Sequence, residues 1–109
     1  MIRGTTPTNV FTTNVDLTGA KIFLTYSQFG KTVFEKTEDD ITIETITGET
    51  PEYKLSVTLT QEDTLLLASD AIVNMQIRAI FENGNAIASD IMEATVGSIL
   101  KNGEIEYES

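Results

Sequence analysis

The chain has 109 residues, of which 17 are acidic and 7 are basic, so its formal charge is −10. This length fits one domain with one hydrophobic core, and the 40% hydrophobic content argues against a disordered chain. The acidic balance excludes nucleic acid and anionic membrane surfaces as partners, because both need a basic footprint on the protein.

Cysteine and histidine are both absent. The sequence therefore lacks thiolate chemistry, disulfides, the most common general base and the most common transition-metal ligand. We expect no catalytic residues, no cofactor and no metal centre, and the protein is not expected to be an enzyme. No apolar segment follows Met1, and no run approaches the roughly 20 apolar residues that cross a bilayer, so neither a signal peptide nor a membrane span is expected.

β-Branched residues and short alternating patterns dominate the chain and predict extended structure. Strands are predicted at residues 9–14, 20–28, 32–37, 41–44, 52–60, 72–81 and 86–98. A tight turn is expected at Phe29-Gly30-Lys31, and Asn83-Gly84 predicts a type I′ hairpin turn. Ser89-Asp90 indicates a bulge or kink within the last strand.

The period changes after the fifth predicted strand. Thr60 has the position of a helix N-cap, and Asp63 stands where a capping box usually has Glu or Gln. The pattern predicts one short helical turn near residues 61–68 that bridges two sheets.

These elements predict an all-β fold, namely a two-sheet antiparallel immunoglobulin-like sandwich of about seven strands. Residues 1–109 form a single domain, with an N-terminal arm at 1–8 and a frayed acidic tail at 101–109. The paired cysteines and the tryptophan of immunoglobulin domains are missing, so the term describes the architecture only.

Several residues are candidates for a protein interface. Phe23 falls on the polar face of its strand, where it is either covered by other parts of the fold or exposed as an anchor for a partner. Arg78 projects from a strand among apolar neighbours, as an ion-paired or snorkelling side chain or as an interface residue that binds a carboxylate.

The arm, with Arg3, Thr5 and Thr6, is disordered, forms an edge strand or docks on a neighbouring subunit. The acidic turn at 38–40 is either solvated or a weak cation site.

The opening Met-Ile-Arg-Gly-Thr-Thr-Pro-Thr, together with motifs further along the chain, resembles a family of small proteins in phages and prophages of Firmicutes. The resemblance lies at residues 1–8, 22–28, 35–39, 59–65, 75–78 and 86–91. It implies an immunoglobulin-like sandwich similar to N-terminal domains of phage baseplate proteins. The loop at 45–52 is longer than in that family, so no interface at this loop is carried over.

The resemblance also implies a function. It suggests a non-enzymatic virion structural or assembly protein of the tail or baseplate, made in the cytoplasm of the bacterial host and located in the virion. Its partners would be other virion proteins or further copies of itself, as a homo-oligomer. Two other functions stay open, namely a carbohydrate-binding module for the host surface and a prophage-encoded acidic inhibitor or regulator.

Overall fold

The structure is a computed structural model that describes residues 1–107. Within this range eight strands, one 3-10 turn and one short helix follow each other along the chain. The elements are β1 (Thr8–Thr13), β2 (Lys21–Gln28), β3 (Lys31–Thr37), the 3-10 turn (Glu38–Asp40), β4 (Ile41–Ile46), β5 (Glu52–Thr58), α1 (Gln61–Leu65), β6 (Ala71–Ile80), β7 (Ala86–Ala88) and β8 (Met92–Val96).

The strands form two antiparallel sheets. A three-stranded sheet has the order β1-β5-β4, and a five-stranded sheet has the order β3-β2-β6, with β7 and β8 sharing the far edge of β6. The predicted all-β, two-sheet sandwich is thus confirmed. In an immunoglobulin domain of the constant type the second strand joins the sheet of the first and fifth, whereas here β2 pairs with β3 and β6.

The core lies between the two sheets and follows the predicted alternation. Ile22, Leu24 and Tyr26 of β2 are fully buried, because every second side chain of a strand points to the same face. Leu55 and Val57 of the three-stranded sheet face them from the other layer. The inward side chains of β6, the neighbour of β2 in the five-stranded sheet, complete the core on that side, and they are Val73, Met75, Ile77 and Ala79.

The last predicted strand is interrupted at the place where a kink was expected. Residues 89–91 separate β7 from β8, and Ser89 Oγ accepts a hydrogen bond from the Ile77 N–H at 3.0 Å. The Ser89 N–H in turn donates to the Ile77 carbonyl at 2.8 Å. A side-chain oxygen therefore replaces one carbonyl of the ladder, and the two short strands lie along one edge of β6.

The predicted capping box is confirmed at the start of α1. The Asp63 N–H donates to Thr60 Oγ1 at 3.0 Å, and the Thr60 N–H donates to Asp63 Oδ2 at 2.9 Å. α1 follows β5 of one sheet and precedes β6 of the other, so it bridges the sheets as expected. No helix among residues 1–107 has the length and apolar character needed to cross a bilayer.

The predicted type I′ turn at Asn83-Gly84 is wrong. Gly84 has a φ of 90°, but Asn83 is not among the residues with positive φ, and type I′ requires both. The Gly84 N–H donates to the Phe81 carbonyl, and the Phe81 N–H donates to the Asn85 carbonyl, each at 2.9 Å. These bonds define a three-residue loop that ends in a bulge glycine.

The type I′ geometry occurs instead at Phe29 (φ 55°) and Gly30 (φ 76°), between β2 and β3.

The predicted acidic tail has no strand or helix from Lys101 to Tyr107, and Glu108 and Ser109 lie outside the described residues. Its Ile105 is held against α1 by two hydrogen bonds. The Ile105 N–H donates to Gln61 Oε1 at 2.8 Å, and Gln61 Nε2 donates to the Ile105 carbonyl at 3.0 Å.

Candidate protein interaction surface

The outward side of the five-stranded sheet, here called the outer face, carries the two strand residues that the sequence singled out. Phe23 of β2 stands directly opposite Arg78 of β6 in the antiparallel register, so their side chains lie side by side. The second sheet packs on the opposite side, against the inward residues of β2 and β6. Phe23 therefore remains 40% exposed instead of being covered by the second sheet.

Phe23 and Arg78 belong to one shallow depression of about 410 Å³. We call it the Phe23 patch, and its lining residues are Phe23, Thr25, Glu35, Arg78, Ala79, Ile80 and Ala86. Ile80 is 43% exposed there and adds a second large apolar side chain. The patch thus combines exposed apolar surface with one cationic and one anionic side chain.

The two charged residues of the patch differ in their partners. Glu35 Oε2 accepts a hydrogen bond from Thr25 Oγ1 at 3.0 Å. Arg78 is exposed, and no carboxylate among residues 1–107 lies within 4.0 Å of its guanidinium group. The interpretation of Arg78 as an ion-paired side chain within its own chain is therefore wrong for the described residues.

The N-terminal arm packs on its own domain, away from the Phe23 patch. The Arg3 N–H donates to the Gly97 carbonyl at 3.1 Å, and its guanidinium Nη2 donates to the Leu65 carbonyl at 3.0 Å. The carbonyl of Thr5 accepts a hydrogen bond from the buried hydroxyl of Thr64 at 2.9 Å. The structure thus gives the arm an intramolecular role, with exposed side chains at Thr5 and Thr6.

Arg3 has one feature that the sequence did not predict. Its Nε is buried and has no hydrogen-bond partner among the described residues, although Nη2 is satisfied. Burial of an unpaired polar atom costs free energy. Other contacts of the Arg3 side chain, such as the hydrogen bond from Nη2, must offset this cost. The structure thus shows the Arg3 guanidinium group bonded within its own domain, and its role at an interface stays a prediction.

Polar side chains also form contacts inside the sandwich, on the opposite side of the five-stranded sheet from the outer face. The sequence did not predict these contacts. Tyr26 is fully buried, stacks on Phe34 with ring centroids 4.4 Å apart, and donates its hydroxyl to Asn9 Oδ1 at 2.6 Å. Burial, and secondly the charge of Asp63, raises the pKa of Tyr26 well above its ordinary value. The phenol therefore stays protonated and links the two sheets across the core.

A second polar contact of the interior is an ion pair between Lys36 of β3 and Asp63 of α1. Lys36 Nζ lies 2.7 Å from Asp63 Oδ2, and both side chains are only 16% exposed. Burial alone would raise the pKa of Asp63, but hydrogen bonds from Lys36 and from the Thr60 backbone outweigh it and lower the pKa. Lys36 points inward because it lies directly opposite Leu24, which is an inward residue of β2. The alternating pattern of β2 was the sequence feature that could have indicated this position.

The acidic turn at 38–40 uses its carboxylates within the fold. Glu38 Oε1 accepts the Ile22 N–H at 2.9 Å, and Asp40 Oδ2 accepts the Thr37 N–H at 3.1 Å. The hydrogen bond from the Ile22 backbone is the main cause that lowers the pKa of Glu38. Within residues 1–107, no three side chains of Asp, Glu, His or Cys come together as a group that would hold a metal ion.

Comparison of the chain with protein families, with characterised proteins and with solved structures gives no match. The fold and the geometry of the outer face therefore carry the functional argument, together with the sequence resemblance.

Proposed function

We propose that this protein is a non-enzymatic structural or assembly component of a bacteriophage virion, in the tail or baseplate, and that it acts by protein–protein interaction. The resemblance of its sequence motifs to small phage proteins supports the virion setting. The two-sheet sandwich with an exposed apolar and charged patch supports the mode of action.

The observation that carries the proposal is Arg78 beside Phe23. Aromatic residues and arginine are enriched at the energetically dominant positions of protein interfaces. Arg78 has no carboxylate partner among residues 1–107, and a guanidinium group that loses water on binding needs a hydrogen-bonded anion. The partner therefore offers an apolar surface to Phe23 and Ile80 and a carboxylate to Arg78.

Purified particles test the virion setting. Mass spectrometry of virions should detect the chain at a constant ratio to the tail proteins. Consistent absence of the chain from intact particles would contradict the proposal.

Variants of the patch test the mode of action. Phe23→Ala and Arg78→Ala should each reduce incorporation into particles, by about tenfold or more if each is a dominant contact. Arg78→Lys should also reduce incorporation, because lysine does not make the bidentate contact to a carboxylate. Thr42→Ala, on the other sheet, is the matched control and should be incorporated normally. Normal incorporation of the Phe23 and Arg78 variants would rule the patch out as the interface.

A further inference from the structure

A second concavity lies on the outer face, at the end of the sheet where β2 turns into β3. Its volume is about 920 Å³, and it shares no residue with the Phe23 patch. Phe29 and Asp70 border it, and these are the only non-glycine residues with positive φ in the described part of the chain, at 55° and 58°. We call it the Phe29 cavity.

The conformation of Phe29 is unfavourable for its residue type. The first position of a type I′ turn favours Asn, Asp or Gly, and a bulky side chain at positive φ is strained. The ring is also 76% exposed, so burial in the core does not compensate for the strain. Strained residues of this kind cluster at binding sites, which makes the exposed ring at the cavity a candidate contact for a ligand.

The opposite part of the cavity offers hydrogen-bonding side chains that have no partner within the fold. Asn74 of β6 stands opposite Glu93 of β8, and Thr95 follows on the same face. The side chains of Asp70, Asn74, Glu93 and Thr95 make no hydrogen bond or ion pair with another of residues 1–107. Two carboxylates, an amide and a hydroxyl are thus free to bind a ligand.

The charges of the cavity select the chemistry of that ligand. No lysine or arginine lines it, and its charged side chains are Asp70 and Glu93. The Met1 ammonium lies beside one lining residue, where it donates to the Thr95 carbonyl at 2.9 Å. Phosphorylated, sulfated or uronic-acid ligands would therefore be repelled, while hydroxyl groups would donate well to the carboxylates.

We propose that the Phe29 cavity binds a neutral sugar ring of a glycan. One face of a pyranose is apolar, and its polarised C–H groups fit the electron-rich face of an exposed aromatic ring such as Phe29. Its hydroxyl groups donate to Asp70 and Glu93 and exchange hydrogen bonds with Asn74.

The test begins with an array of neutral oligosaccharides of glucose, galactose, rhamnose and N-acetylglucosamine, printed beside sialylated and phosphorylated glycans. The full chain should retain at least one neutral glycan, with a Kd of about 1 mM or below in calorimetry. Retention of no neutral glycan, or of the anionic glycans only, would overturn the proposal.

Variants then locate the site. Phe29→Asn should weaken binding at least tenfold while the urea midpoint of unfolding stays equal or rises, because Asn-Gly suits the turn better than Phe-Gly. Asp70→Asn, which tolerates positive φ but removes the carboxylate, should also weaken binding. Val10→Ala, at an exposed apolar residue of the three-stranded sheet and outside both surfaces, should bind as the original chain does. Unchanged affinity of the Phe29→Asn chain would place the glycan elsewhere and overturn the assignment.

This site is independent of the proposed virion role. Loss of glycan binding with normal incorporation into particles would separate the Phe29 cavity from the Phe23 patch.

Discussion

At the residue scale, the polar contacts inside the sandwich join side chains from distant parts of the chain. The alternation of β2 predicted that Tyr26 faces inward, and the structure places it there. Neither its bond to Asn9 nor the ion pair of Lys36 with Asp63 was predictable, because each joins strands or helices whose packing is set by the whole fold. The exposure of Phe23 was left open for the same reason.

The ion pair of Asp63 predicts a dependence of stability on pH. Its pKa is lowered from the ordinary 3.8, so its stabilising contribution is complete above that value and is lost as the pH falls below it. Asp63→Asn should lower the free energy of unfolding by about 1–3 kcal/mol at pH 7, because Lys36 loses its partner. The difference between the two chains should shrink progressively as the pH falls below 3.8 and through the lowered pKa of Asp63.

Urea denaturation at several pH values measures this effect. Glu44→Gln is the matched control, because the Lys54–Glu44 pair is longer, at 3.8 Å, and its side chains are more exposed. Its loss should change the free energy of unfolding by about 0–1 kcal/mol. A difference between the Asp63→Asn chain and the original that stays constant as the pH falls from 7 to well below 3.8 would contradict the assigned role of the ion pair.

At the scale of elements, turns were harder to predict than strands. A two-residue turn at Asn83-Gly84 would pair Ile80 with Ile87, but the structure pairs Ile80 with Ala86 and Ala79 with Ile87. The observed register turns Ile87 to the core side, where it lines a cavity with Phe11 and Leu55. Ile87 stays 39% exposed there, but a shift by one residue would move it to the outer face and away from these apolar residues, which favours the observed loop over the local motif.

The N-terminal arm gives a prediction at this scale. Deletion of residues 1–6 removes the hydrogen bonds of Met1 and Arg3 to the end of β8 and leaves the buried hydroxyl of Thr64 without the Thr5 carbonyl. We expect a loss of about 2–4 kcal/mol in the free energy of unfolding, since each such bond contributes about 0.5–1.5 kcal/mol.

Thermal and urea unfolding measure this loss. Thr6→Ala is the control, because the Thr6 side chain is exposed and makes no hydrogen bond among residues 1–107. Equal stability of the truncated chain and the full chain would show that the arm does not contribute to the fold.

At the scale of the whole molecule, the composition and the alternation of apolar and polar residues predicted the two-layer β architecture. They did not predict the order of the strands in each sheet. Alternation fixes which side chains of β2 face inward but not which sheet β2 joins, because both sheets offer an apolar surface. The choice depends on contacts between strands that are far apart in sequence. The candidate residues Phe23 and Arg78 became neighbours only through the pairing of β2 with β6.

The charge of the whole chain gives a further prediction. At −10, mutual repulsion of the carboxylates destabilises the compact state, and salt screens this repulsion. Raising NaCl from about 0.01 M to about 0.15 M shortens the screening length from about 30 Å to about 8 Å, so the urea midpoint at pH 7 should rise. A midpoint that falls over this range would mean that favourable ion pairs outweigh the repulsion.

The pairing of Ile2 with Gly97 brings the beginning of the chain next to the end of its last strand. The Gly97 N–H donates to the Met1 carbonyl at 2.6 Å, so the gap between these two points is no larger than one backbone hydrogen bond. Because this pairing is parallel, a circular permutant needs a short linker that turns back from Gly97 to Met1; opened at the exposed loop near Gly48, it should keep every strand beside its present neighbours. Folding of this permutant would show that the architecture does not depend on which strand is synthesised first.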